Sequence, residues 1–224
     1  IVAMTTVVFP RLSRYCLDSD FERIRFLLAQ VFKMLLFILL PYLLLVICYH
    51  KEIITLVYQR GAFGAESTAM TSLAFWFYSF AVLGYLCQEV YNRVFYALKR
   101  FKIPMIASGC CILLNLGLDL VLFRPAGIGG LSLSTAATML FYALLMSVML
   151  TREIGAFISR DLVLYLLKLL LPALAMLGVV WGFGQIGWGT SGVSFLLPLA
   201  TSMVVYLGIA YILGLIRVFF LKEV

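Results

Sequence analysis

The chain alternates between long apolar runs and short polar or basic segments. The runs are continuously apolar, which is typical of membrane helices, whereas strands of a membrane barrel alternate apolar and polar residues. A helix needs about 20 residues to cross a hydrocarbon core of about 30 Å. Six runs have that length: residues 26–49, 68–95, 103–123, 128–150, 162–183 and 194–220. The first nine residues are also apolar and are followed by Pro10, so we interpret them as the last turns of an earlier membrane helix.

The sequence therefore predicts an all-α, polytopic membrane helix bundle with six full transmembrane helices and the end of a seventh. The composition agrees, because 64% of the 224 residues are hydrophobic and 12% are charged, too few charges for the surface of a soluble domain. The N-terminus has neither an initiator Met nor the features of a signal peptide. We expect the chain to be the C-terminal part of a larger protein.

Basic residues predict the orientation in the membrane, because they concentrate in cytoplasmic loops. Lys51, Arg60 and Arg124 fall on one side. The opposite side carries twelve: Arg11, Arg14, Arg23, Arg25, Arg93, Lys99, Arg100, Lys102, Arg152, Arg160, Arg217 and Lys222. This asymmetry predicts that the side with twelve basic residues, and with it the C-terminus, lies in the cytoplasm. The net charge of +7 is scattered among short loops, which argues against nucleic-acid binding.

Two polar side chains lie inside the third run. Asn115 and Asp119 are four residues apart, so on a helix they lie about 40° apart and one turn apart. If the third and fourth runs form a hairpin through residues 124–130, Thr135 lies at a depth between them, and its hydroxyl competes for the carbonyl of Leu131. Carboxylate, amide, hydroxyl and carbonyl oxygens are ligands for hard cations. Three interpretations stay open: a cation site, a protonatable site, and hydrogen bonding that only holds helices together.

Two further lysines fall within the predicted spans. Lys33 and Lys168 each enter the membrane from the cytoplasmic side, where a long side chain can extend its ammonium group to the interface. Both are interpreted as interface anchors or, alternatively, as weak candidates for contact with an anionic substrate. No Ser/His, Cys/His or paired-carboxylate arrangement converges in the sequence, so we do not expect an enzyme. The five cysteines show no metal-ligand spacing and are interpreted as small apolar side chains.

Five stretches together resemble the MurJ/MviN family of lipid II flippases, within the MOP exporter superfamily. They are VVFPRLSR (7–14), LVYQRGAF (56–63), RVFYALKRFKIP (93–104), NLGLD (115–119) and GIGGLSLSTAATM (127–139). The resemblance implies a fourteen-helix inner-membrane protein, of which this chain is the C-terminal lobe of a MOP/MATE-like transporter. Residues 1–14 would end a truncated helix, 15–150 would form the lobe, and 151–224 would form two additional C-terminal helices.

The resemblance also implies an activity and partners. Members of the family flip the undecaprenyl-pyrophosphate-linked peptidoglycan precursor, lipid II, from the cytoplasmic to the periplasmic leaflet by alternating access. Some carry a sodium ion, and Asn115, Asp119, Thr135 and the Leu131 carbonyl resemble that site; no other cofactor is implied. The arginines that hold the headgroup lie in the family's N-terminal lobe, which this chain lacks, so the chain alone should not flip lipid. The last two helices are expected to contact the polyprenyl chain.

Other functions remain open from the sequence. A flippase for polysaccharide or O-antigen lipids, or a drug/cation antiporter, would belong to the same superfamily. A non-transporting membrane scaffold or an inactive fragment would have the same apolar runs. An arginine-lined cavity in the N-terminal lobe would favour a pyrophosphate headgroup, and the upstream coding sequence would separate the alternatives.

Overall fold

The structure is a computed structural model that describes residues 2–187 and 194–219. Within these ranges the chain forms six α-helices followed by one short 3₁₀ helix. Their bounds are α1 Val2–Leu17, α2 Phe21–Tyr58, α3 Ala65–Ala97, α4 Lys102–Ile154, α5 Arg160–Gln185, α6 Leu196–Ile212 and the 3₁₀ helix Leu215–Phe219. The prediction of an all-α membrane bundle is confirmed.

Each of the six predicted spans falls on a helix. Helices α2, α3, α4 and α5 are long and apolar enough to cross a membrane, and the 53-residue helix α4 contains two of the predicted spans. The sixth span is shorter than expected, because α6 has 17 residues and ends at Ile212. Gly214 follows in a left-handed conformation with φ of 69°, which glycine adopts at little cost. The expected end at Phe220, and Lys222 beyond it, lie outside the described residues.

The end of α1 differs from the prediction. The first helix was expected to end by residue 14, but α1 continues through Pro10 to Leu17. Proline removes one backbone donor while keeping φ near its helical value, so the helix can continue past it. Ser19, with φ of 52°, then separates α1 from α2.

Helix α4 is a hairpin of two arms. Gly127 has φ of 53° and ψ of −131°, and it separates a first arm (102–126) from a second arm (128–154). The arms approach closely near the tip, since a Cβ added to Gly130 would overlap the carbonyl oxygen of Leu122. The predicted hairpin at residues 124–130 is therefore confirmed, and it places short side chains of the two arms within reach of each other.

The chain divides into two compact units, Ile1–Leu35 with Phe77–Ser159 and Leu36–Trp76 with Arg160–Val224. In the first unit, Phe32, Tyr91 and Phe157 form an aromatic cluster with ring centroids 5.6–6.1 Å apart. In the second unit, the Tyr206 hydroxyl donates a hydrogen bond of 2.7 Å to the carbonyl of Phe37. The sequence analysis divides the chain at residues 14 and 150, according to the group of membrane helices to which each part belongs. The two compact units do not test that division, so it stays a prediction.

The first arm of α4 exposes its apolar side chains. Ile112, Leu116 and Leu120 are 56–70% exposed, while the polar Asn115 and Asp119 are partly buried. This arrangement is the reverse of that on a soluble helix and suits a hydrocarbon surrounding, in which polar side chains face the inside of a bundle. The first arm therefore directs its polar residues toward the second arm.

A close approach of α3 to the second arm can be tested at Gly84. A Cβ at this position would lie 2.5 Å from the backbone carbonyl carbon of Met139, so we expect Gly84→Ala to destabilise the protein by about 1–3 kcal/mol through overpacking. The measurement is thermal unfolding in detergent. The matched control is Gly109→Ala on α4, where a Cβ has no neighbour within 4 Å and alanine favours the helix. Equal midpoints for the two variants would contradict the packing described.

Candidate functional site

The α4 hairpin gathers four polar side chains into one cluster, which we call the hairpin cluster: Asn115, Asp119, Ser134 and Thr138. The amide nitrogen of Asn115 lies 3.3 Å from the Ser134 hydroxyl and 3.5 Å from the Thr138 hydroxyl. The Ser134 hydroxyl in turn donates a hydrogen bond to Oδ1 of Asp119. Both hydroxyl residues are almost fully buried, and each of the four side chains is hydrogen-bonded to another member of the cluster.

The local sequence explains this register. Asn115 and Asp119 lie one turn apart on the first arm, and Ser134 and Thr138 lie one turn apart on the second. Because the arms are antiparallel about Gly127, Asp119 meets Ser134 near the tip and Asn115 meets Thr138 one turn further from it. Two turns of each arm therefore contribute to the cluster.

The carbonyl of Leu131 extends the cluster toward the hairpin tip. It lies 2.9 Å from the Ser134 hydroxyl and 3.0 Å from the Thr135 hydroxyl. The predicted hydrogen bond between Thr135 and this carbonyl is therefore present. A hydroxyl has one proton, so Ser134 can donate to either Asp119 or Leu131 at one time.

Sequence reasoning missed Ser134 and Thr138. The depth estimate placed Thr135 between Asn115 and Asp119, but the neighbouring Ser134 makes the contacts with both residues. Adjacent helical positions differ by only about 1.5 Å in depth and by about 100° in direction. The estimate used depth and lacked the rotation of the second arm. The four-residue spacing of Ser134 and Thr138, equal to that of Asn115 and Asp119, was the available signal.

The chemistry of the cluster suits a hard monovalent cation. It offers carboxylate, amide, hydroxyl and carbonyl oxygens, which are ligands for hard cations. In the part of the chain that the structure describes, Asp119 forms no ion pair with a lysine or arginine. One carboxylate balances one positive charge, and a charge in hydrocarbon requires such a partner. Residues 2–187 and 194–219 contain no group of three His, Cys, Asp or Glu residues that could hold a metal.

Comparison with known proteins identifies the family. The family model described as "MurJ: Lipid II flippase MurJ" matches residues 1–214. The chain belongs to the lipid II flippase MurJ family. A solved structure, titled "Lipid II flippase MurJ, inward closed conformation", is similar to this chain with a TM-score of 0.76 and 25% identity. The match covers 93% of this chain and 42% of that one.

Curated MurJ relatives are similar over most of this chain. The "Probable lipid II flippase MurJ" of Treponema pallidum (strain Nichols) is 30% identical over 153 residues, which is 68% of this chain and 29% of that protein. The protein of the same name from Bdellovibrio bacteriovorus (strain ATCC 15356 / DSM 50701 / NCIMB 9529 / HD100) is 25% identical over 217 residues, or 95% and 42%. The chain thus spans less than half the length of these MurJ relatives. The resemblance found in the sequence is confirmed.

The two lysines are placed differently. Lys33 is 5% exposed in the first unit and has an interaction partner of its own. Lys168 is exposed in the second unit. Neither lies in the hairpin cluster of this MurJ family member, and their contact with substrate stays a prediction.

A charged pair lies on α3. Arg93 bonds to Oε1 of Glu89 at 2.8 Å through Nε, and its guanidinium lies 5.9 Å from the ring centroid of Phe9. The four-residue spacing of Glu89 and Arg93 along the helix allows this ion pair, and the same arginine contacts α1. Arg93 thus contacts Glu89 on its own helix and Phe9 on α1. Its cation–π contact with Phe9 holds α1 against α3.

The internal hydrogen bonding of the hairpin cluster can be tested at Ser134. Ser134→Ala removes the donor to Asp119 and the acceptor for Asn115, so we expect a loss of about 1–3 kcal/mol in the free energy of unfolding. Thermal unfolding of the purified protein measures this loss. Ser147→Ala is the control, because Ser147 bonds only within its own helix, to the carbonyl of Leu144 at 2.8 Å. Equal losses in the two variants would show that the cluster contributes nothing to stability.

Proposed function

We propose that the protein transports lipid II and that this chain supplies the C-terminal lobe of the transporter. The observation that carries the proposal is the family match over residues 1–214. The fold supports it as well, because a lipid II flippase structure is similar over 93% of the chain. A polysaccharide-lipid flippase, a drug/cation antiporter and a scaffold have no comparable support. The transported lipid would be moved between leaflets without chemical conversion.

The proposed orientation follows from the charge asymmetry of the loops. The α1–α2 and α3–α4 loops and the C-terminus would lie in the cytoplasm, and the tip of the α4 hairpin would face the periplasm of a bacterial inner membrane. Lipid II would enter from the cytoplasmic leaflet and leave to the periplasmic leaflet by alternating access. Lys33 and Lys168 are candidate contacts for its pyrophosphate, with the main headgroup contacts supplied by residues outside this chain.

We further propose that the hairpin cluster is the site of a coupling cation, with Na⁺ as the first candidate. Asp119 would supply the charge, and Asn115, Thr135 and the Leu131 carbonyl would supply neutral oxygens together with Ser134 and Thr138. The amide nitrogen of Asn115 now faces the two hydroxyls, so coordination by this residue would require its oxygen to turn inward. A bound cation would neutralise the charge of Asp119, and it would bias transport only if the two conformations differ in affinity for it.

The structure also offers the competing interpretation, in which the hydrogen bonds of the cluster simply join the two arms. The uncompensated charge of Asp119 favours the cation over this alternative, because hydrogen bonds alone satisfy the polar atoms and leave the charge without a counter-ion. A protonated Asp119 would also remove the charge. The effect of Na⁺ on stability separates these possibilities.

The proposed substrate can be tested by reconstitution of the protein at its full native length in liposomes. We expect labelled lipid II to exchange between leaflets faster than in protein-free liposomes, as measured by its accessibility to a membrane-impermeant quencher. An undecaprenyl-pyrophosphate lipid with an O-antigen sugar is the matched control substrate. Transport of the control lipid without transport of lipid II would overturn the proposal.

The proposed cation site can be tested with Asp119→Asn in the same protein. We expect Na⁺ to raise the thermal midpoint of the wild type relative to choline, because a ligand that binds the folded state stabilises it. The variant loses the only carboxylate of the cluster and should lose the response. The control is Asp161→Asn, at an exposed position in the first turn of α5, which should keep it. A full response in Asp119→Asn would rule out the site.

A further inference from the structure

The polar side chains of the hairpin continue beyond the hairpin cluster, away from the tip. Tyr142 lies one turn after Thr138 on the second arm and is 1% exposed. Its hydroxyl donates a hydrogen bond of 2.6 Å to Oδ1 of Asn92 on α3, and the side chain of Ser108 on the first arm lies close to it. Cys111, which is also buried, lies close to the same tyrosine. The interior between α3 and the two arms is therefore polar at this level.

A second polar residue on α3 is Gln88, and its side-chain oxygen differs from that of Asn92 in having no hydrogen-bond partner among the described residues. Gln88 lies one turn before Asn92, and its Oε1 atom is buried with no hydrogen-bond partner among the described residues. Buried amide oxygens are nearly always satisfied, by protein groups or by ordered water. An amide that served only to hold helices together would have its donor in the neighbouring helix. A mobile partner for this oxygen, either a water molecule that donates a hydrogen bond or a cation that the oxygen coordinates, is therefore expected at Gln88.

Close helix packing fixes the position of Gln88. One turn before it, Gly84 lies against the backbone of Met139, and one turn after it, Asn92 bonds to Tyr142. Gln88 is thus held beside the second arm, between two contacts that join α3 to that arm. Along the first arm, Ser108 is seven residues from Asn115 and six from Lys102, about 10 Å and 9 Å respectively. This level lies midway between the hairpin cluster and the basic loop between α3 and α4.

We propose that Gln88, Asn92 and Tyr142 form a relay station on the path by which water and the coupling cation move between the hairpin cluster and the α3–α4 loop. The inference rests on the proposed cation site and adds its route of exchange. An ion that leaves the hairpin cluster must keep oxygen neighbours, because an ion without them is costly in hydrocarbon. The amide oxygens of Gln88 and Asn92 and the phenol oxygen of Tyr142 supply such oxygen neighbours halfway between the hairpin cluster and the α3–α4 loop. Gln88, Asn92 and Tyr142 set the rate at which the cation exchanges, whereas the hairpin cluster sets its equilibrium affinity.

The test separates rate from affinity in the protein at its full native length, reconstituted in liposomes. Equilibrium binding and the rate of exchange of ²²Na⁺ are measured for Gln88→Met and Tyr142→Phe. We expect both variants to slow exchange by about tenfold, the effect of losing one hydrogen bond at the barrier, and to keep the dissociation constant within about twofold. Gln88→Met removes an oxygen that bonds to no described residue, so its thermal midpoint should not fall.

Tyr206→Phe is the matched control for Tyr142→Phe, because it removes an equally buried hydroxyl in the second unit. It should exchange Na⁺ like the wild type. Unchanged exchange in Gln88→Met and Tyr142→Phe, or an affinity that falls in parallel with the rate, would overturn the relay. Failure of the wild type to bind Na⁺, or full binding by Asp119→Asn, would instead overturn the proposed cation site, so the two failures are distinguishable.

A second readout needs no cation. Cys111 is kept as the only cysteine and exposed to a charged, water-soluble methanethiosulfonate, which reacts only where water enters. We expect labelling of Cys111, because it lies beside the relay station. Cys87 alone is the control, since it hydrogen-bonds to Tyr91, a member of the apolar aromatic cluster, and should stay unlabelled. Equal resistance of both cysteines would contradict a water-filled path.

Discussion

The hydrogen bond between Ser134 and Asp119 joins the two arms of α4 where a carboxyl group lies inside an apolar hairpin. Hydrocarbon offers no water to a carboxylate, so its hydrogen bonds and its charge must be satisfied by the protein or by a bound ion. The hairpin supplies the hydrogen bonds through Ser134 and, indirectly, through Asn115. Among the described residues no lysine or arginine forms an ion pair with Asp119. This difference is the physical basis of the cation site that we propose at Asp119.

Close packing makes the polar arrangement possible. Near the tip, Gly130 lets the two arms approach so closely that the short side chain of Ser134 reaches Asp119 on the opposite arm. Gly84 does the same between α3 and the second arm, and the Asn92–Tyr142 hydrogen bond continues that contact. The first unit thus holds both the proposed ion site and its proposed route on one set of closely packed helices. These contacts join the hairpin to α3 within the first unit.

Much of the fold could be predicted from the sequence, because a continuously apolar run of about 20 residues indicates a membrane helix. The hairpin was predictable for the same reason, since two such runs are separated by a few residues around Gly127. The continuation of α1 through Pro10 was not, because proline permits helix as well as ending it. The early end of α6 depends on the left-handed conformation of Gly214. The apolar residues around Gly214 gave no indication that the helix ends there.

The site was predictable in part. Spacing alone placed Asn115 and Asp119 on one face, and a polar residue in an apolar run is a strong signal. Their contacts with Ser134 rather than Thr135 depend on the rotation of the second arm, which no spacing along one helix determines. The contact of Tyr142 with Asn92 joins residues 50 positions apart. Such a pairing is set by the packing of α3, and a single sequence does not reveal it.

The most direct test of a cation at Asp119 is anomalous diffraction from crystals of the protein at its full native length, grown with Tl⁺ as a heavy substitute for Na⁺. The account predicts an anomalous peak within the hairpin cluster, in contact with the Asp119 carboxylate, that disappears when Na⁺ is in excess. A cluster that stays free of anomalous signal at saturating Tl⁺, with the Ser134–Asp119 hydrogen bond intact, would contradict it.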